Sequence, residues 1–102
     1  MIRRTVVVSR RAQLDLIELY DHIADAASSQ VAQSYLERLN AWLARFDLAS
    51  ERGSRRDDLR SGMRMVGFER RATIAFLVQD RQVTILRIFP GGRDWPSTFE
   101  GA

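Results

Sequence analysis

A chain of 102 residues without cysteine can build one modest core, and it can form neither disulfides nor thiolate chemistry. It holds no apolar run of transmembrane length and no charged-then-apolar leader, so a single soluble, cytoplasmic domain spanning residues 1–102 is expected. All sixteen basic residues are arginine, and they are unevenly placed: residues 1–11 carry four, residues 12–50 carry two against six acids, and residues 51–71 carry seven against four.

Thr5-Val6-Val7-Val8 is a β-branched run and predicts a first strand at about residues 3–8. Ser9 is placed to cap a helix by accepting from the backbone N–H of Arg11 or Ala12. That helix should run to about Ala27, with Ala12, Leu16, Tyr20, Ile23 and Ala27 as its buried stripe. Asp15, Glu18, Asp21 and Asp25 then fall largely on other faces. Ser28-Ser29 breaks the pattern and offers the next cap. A second helix is predicted from about Gln30 to Phe46, with Ala32, Tyr35, Leu36, Leu39, Trp42, Leu43 and Phe46 on one face. The short break makes the two helices an antiparallel hairpin, anchored on a sheet by Trp42 and Phe46.

Asp47 to Ser61 has no sustained period and reads as a connecting loop. Three short apolar runs follow, Met63–Phe68, Ala72–Val78 and Val83–Phe89, separated by steps short enough for hairpins. They predict an antiparallel meander. The middle run is apolar at nearly every position, which places it at the sheet centre with both faces covered. The fold class is therefore α+β: a strand, a helical hairpin, and a small, mainly antiparallel sheet ending in a three-stranded meander.

Few residues suggest chemistry. His22 is the only histidine. Glu18, His22 and Asp25 share a helix face, but no second cluster with ligand spacing completes a metal site, and no cofactor is implied. No Gly-flanked nucleophile turn and no phosphate-binding Gly loop occurs. Metal-free RNA cleavage needs proton-transfer groups beside cations. Arg64, Arg87 and Arg93 supply cations, but Tyr20 and Tyr35 lie on the buried helix stripes, which leaves carboxylates such as Asp94, poor partners for a phosphate. A basic run such as 51–71 is ordinarily a solvated loop; its functional reading is a docking patch for an acidic partner or a phosphate backbone.

The pattern resembles the ParE/RelE toxin superfamily, and its ParE branch in particular. The resemblance rests on the order and spacing of Ser9-x-x-Ala12-x-x-Asp15-Leu16, Tyr20-x-x-Ile23, Ala32-x-x-Tyr35, Leu39, Leu43, Gly53, Leu59, Gly62-x-Arg64, Phe76, Val78, Arg87-Ile88 and Arg93-Asp94. It implies two helices on a small, mainly antiparallel sheet. It also implies a toxin of a type II toxin–antitoxin system in bacteria, non-enzymatic, acting on DNA gyrase and neutralised by a ParD-like antitoxin whose C-terminal segment wraps it. The RelE branch cleaves mRNA on the ribosome. There an Arg would be expected near Thr73 and a Tyr near Phe99, so the ParE-like reading is favoured. The alternatives are a RelE-like endonuclease and an inactive member that only binds its antitoxin. Candidate contacts for target or antitoxin are Arg55, Arg56, Arg60, Arg64, Arg87, Arg93, Asp94 and Trp95. Without an apolar run of transmembrane length no membrane association is expected, and sequence-specific DNA binding by this chain alone is not expected because the outer face of the second helix, with Gln33, Glu37, Arg38 and Arg45, has little net charge.

Overall fold

The computed structural model describes residues 3–90. In order the chain forms β1 (Thr5–Val8), α1 (Arg10–Ala26), α2 (Ser29–Ala44), a 3₁₀ turn (Arg45–Asp47), β2 (Ser54–Arg55), β3 (Met63–Phe68), β4 (Ala72–Val78) and β5 (Gln82–Pro90). The strands make one sheet in the order β1-β5-β4-β3-β2. β1 pairs parallel with β5, and the other three pairs are antiparallel. No described helix is long and apolar enough to cross a membrane.

Both predicted caps form. The Ser9 hydroxyl accepts from Ala12 N–H and the Ser28 hydroxyl from Val31 N–H, each stabilising its helix by about 1 kcal/mol. The helices bury Leu19, Ile23, Ala32, Tyr35, Leu39 and Leu43 against Ile74, Phe76, Val83, Ile85 and Ile88 of the sheet. β4 is covered on both faces, as its apolar run predicts. Ile74 and Phe76 meet the helices, whereas Ala75 and Leu77 join Met63, Met65 and Phe89 in a second cluster.

Three details depart from the sequence expectation. The buried stripe of α1 is Ala12, Asp15, Leu19 and Ile23; Leu16 and Tyr20 are half-buried and Ala27 is exposed. Hydropathy alone excludes an acid from a core stripe, but here the acid is buried with its partners. Asp15 Oδ2 accepts from Arg87 Nε at 2.8 Å and from Ile88 N–H at 2.9 Å, and Oδ1 accepts from Arg87 Nη2 at 3.3 Å. Second, Trp42 is only half-buried, while Phe46 is fully buried with its ring 4.9 Å from Phe76. Third, the stretch from Asp47 to Ser61 is not wholly a loop. It contains β2, whose Ser54 and Arg55 pair with Met65 and Arg64 at the sheet edge.

β5 carries a bulge where it pairs with β4. Ile85 faces Phe76 and Arg87 faces Ala75, leaving Leu86 as the extra residue. The core-facing positions switch parity across it, from Val83 and Ile85 to Ile88.

Phe46, not Trp42, therefore anchors the helical hairpin. Phe46→Ala should cost about 3–5 kcal/mol in urea melts, as a large-to-small change in a closed core. Trp42→Ala should cost clearly less. Equal losses would mean that the aromatic cluster shares its load evenly, contrary to the observed burial.

Candidate partner-binding surface

The β2–β3 connection is a structured hairpin. Arg56 N–H donates to Met63 C=O at 2.8 Å, Leu59 N–H to Arg56 C=O at 3.0 Å and Met63 N–H to Arg60 C=O at 3.0 Å. The Asp57 carboxylate closes the tip by accepting from Gly62 N–H at 2.9 Å, and Gly62 adopts φ +80°, a conformation costly for other residues. This tip carries three of the predicted contacts. Arg55 pairs with Asp57 at 3.0 Å and Arg56 makes a fork with Asp58 at 2.8 and 2.9 Å. Arg60 is exposed, and no ion pair engages it among the described residues. The backbone N–H of Gly62 holds the Asp57 carboxyl below its ordinary pKa, and the Arg56 guanidinium does the same for Asp58.

Arg64 lies beneath the tip as a brace. Its Nε donates to Arg52 C=O at 2.9 Å and its Nη2 reaches Gly53 C=O at 3.5 Å. Gly53 has φ +73°, and a Cβ there would collide with the Met65 carbonyl. The braced segment brings the Arg52 guanidinium over the Phe46 and Trp42 rings, 4.7 and 5.4 Å from their centroids. Arg87 stands apart. Its side chain is 13 % exposed and committed to Asp15, and it lies over the Phe89 ring. Arg93, Asp94 and Trp95 lie outside the described residues.

The β3–β4 turn was not singled out from the sequence. Glu69 and Arg70 adopt φ +50° and +60°, uncommon for residues with side chains. The turn is held from α2. Arg38 forks onto Glu69 at 2.8 and 2.9 Å, and Tyr35 Oη donates to Phe68 C=O at 2.9 Å. These contacts join residues about thirty positions apart, so no local motif announces them.

Chemically, the cations of this surface are already paired with carboxylates, Arg55 with Asp57, Arg56 with Asp58 and Arg38 with Glu69. Burial, reinforced by the Glu69 charge, pushes the Tyr35 hydroxyl up to about 12, so it stays protonated at neutral pH. No group of three or more His, Asp or Glu residues that could hold a metal occurs among the described residues. His22 is exposed and borders a shallow depression lined by Leu19, Ile23, Arg70 and Arg71.

Residues 6–95 match the family described as the ParE toxin of the type II toxin–antitoxin system parDE. Among solved structures, the chromosomal ParDE TA system from P. aeruginosa contains a similar chain, with a TM-score of 0.74 and 22 % identity over 87 % of this chain and 97 % of that one. At that identity the likeness is one of fold. No curated protein matches the sequence.

The Arg38 fork holds the Glu69 carboxyl below its ordinary value. A depressed folded pKa contributes stability above the unfolded value, and that contribution is lost as pH falls through the folded value. The pair is exposed, so its effect on stability should be small. Carboxyl NMR titration should show Glu69 ionising below an ordinary glutamate, and Arg38→Gln should return it upward. An unmoved titration would mean that Arg38 does not hold the turn in solution.

Proposed function

The chain belongs to the ParE toxin family of type II toxin–antitoxin systems, and from that premise we propose that it acts by binding rather than catalysis, with DNA gyrase as target and a ParD-like antitoxin as its neutralising partner. The observation that best supports a binding role is the disposition of the cations. Arg64 and Arg87 are occupied by structural partners, whereas Arg60 is exposed on the β2–β3 hairpin at the sheet edge, where Arg55 is also exposed and pairs only with the exposed Asp57. Displayed arginines suit planar recognition of carboxylates. Phosphoryl transfer would in addition need a proton acceptor near its cations, and Tyr35 is too strongly held in its neutral form to serve. Thr73, on β4 opposite Phe89, adds no cation where RNA cleavage would use one. The family resemblance carries the choice of gyrase. A cytoplasmic location and a single-domain organisation accompany this reading.

Two assays separate the possibilities. The purified chain should inhibit gyrase-dependent supercoiling and leave mRNA intact in a translating extract. Codon-positioned mRNA cleavage with gyrase unaffected would overturn the proposal in favour of a ribosome-dependent endonuclease. Inhibition of neither, with retained antitoxin binding, would identify an inactive toxin. For the antitoxin interface, reversing Arg55, Arg56 and Arg60 to Glu should slow association and flatten its salt dependence, with dissociation little changed, because rim charges act mainly on encounter. An unchanged association rate would remove the hairpin tip from the interface.

A further inference from the structure

Helix α1 carries its charges against its own dipole. Arg10 and Arg11 occupy the first turn, and Asp21 and Asp25 lie toward the end. No acid stands in the first turn and no base in the last. The macrodipole is positive at a helix N-terminus and negative at the C-terminus, so each end of α1 meets a like charge. Nothing within the chain relieves this. Arg10, Arg11, Glu18 and Asp21 join no ion pair among the described residues.

The same helix presents an apolar strip to solvent. Arg10, Leu14, Ile17 and Asp21 follow one another at spacings of four, three and four, and all four are exposed. The helical period sets them opposite the buried residues Ala12, Asp15, Leu19 and Ile23. Leu14 is 44 % exposed and Ile17 60 %, the highest value for a large apolar side chain among the described residues. Alternating spacings of four and three are those of a coiled-coil seam. The strip thus has an apolar centre, a cation at one end and a carboxylate at the other.

That order of charges decides the occupant, because the strip is complementary to itself when reversed. A two-fold axis between Leu14 and Ile17 sets Leu14 on the second copy's Ile17 and Arg10 on the second copy's Asp21, and each contact occurs twice. Gln13 then meets the second copy's Glu18. Antiparallel packing also lays each helix N-terminus beside the other's C-terminus, which offsets the like charge at both ends. A parallel pairing would stack Arg10 on Arg10 and Asp21 on Asp21. An anionic membrane surface would repel Glu18, Asp21 and Asp25. We propose that the outer face of α1 is a self-association surface, on which a second copy of the chain docks antiparallel about a two-fold axis. The inference does not rest on the antitoxin or gyrase readings. The seam covers about three helical turns, well below the ~1,200 Å² of a stable interface, so the dimer is weak, with a Kd on the order of 100 μM.

Sedimentation equilibrium of the purified full chain tests it, from about 10 μM to about 1 mM at low and high salt. The weight-average mass should rise from that of one chain toward that of two, and Ile17→Ser should hold it at one. Charge reversal then tests the register. Arg10→Asp sets two acids together at each end of the seam, and Asp21→Arg sets two cations together. Each should weaken association about tenfold at low salt. Combining Arg10→Asp with Asp21→Arg restores opposite charges and should recover the original affinity. A chain that stays monomeric throughout overturns the proposal. Association that the single reversals leave unchanged, or that the combined variant fails to recover, overturns the antiparallel α1 seam. Melting of dilute samples provides a second readout. Both reversals follow the macrodipole, so the combined variant should melt no lower than the original chain. A lower melting temperature would contradict the reversed charge order from which the inference starts.

Discussion

The fold depends on one buried carboxylate. β1 covers β5 only from Gln82 to Ile85. Beyond that point the β5 edge would expose backbone groups inside the protein, a cost of about 1–3 kcal/mol for each unsatisfied group. The start of α1 takes over where the strand stops. Ser9 Oγ donates to Leu86 C=O at 3.0 Å, and Asp15 accepts from Ile88 N–H at 2.9 Å. A buried carboxylate needs a cation, and the Arg87 fork supplies it. One residue on the helix thus completes the sheet edge, neutralises an arginine and fixes the position of α1 along β5. No buried side-chain polar atom among the described residues is left without a partner, which is the condition under which such a charge is tolerated.

This arrangement marks the boundary of what was legible in the sequence. Local signals were sufficient for the serine caps, the helical hairpin and the three meander strands, because each is written in neighbouring residues. The register of α1 was not legible by hydropathy. Its true stripe passes through Asp15, which only a partner seventy-two positions away makes suitable for burial. The bulge at Leu86, where the core-facing positions pass from odd to even numbers, was not part of the expected regular strand. β2 is two residues long, too short for any period. Trp42 was overvalued because size suggests depth, yet it sits at the rim under Arg52 and leaves the centre to Phe46.

The candidate surface shows the same division. Arg55, Arg56 and Arg60 fell together because they are close in sequence. Arg64 and Arg87 looked equivalent to them by residue type, but their surroundings give them other work. One braces the hairpin base through carbonyl oxygens, and the other belongs to the core. A list of arginines cannot distinguish these roles; their partners can. The five strands place two basic regions at opposite edges, the β2–β3 tip and the flanks of β1.

The central claim is that Asp15 and Arg87 act as a unit that locks α1 onto β5. A double-mutant cycle in urea tests it most directly, using Asp15→Ala, Arg87→Ala and the double variant. Each single change strands a buried charge and should cost about 3–5 kcal/mol. The double variant should cost well below the sum, giving a coupling energy above about 1.5 kcal/mol. Additivity within about 0.5 kcal/mol would contradict the account, because it would mean that the two side chains stabilise the fold independently.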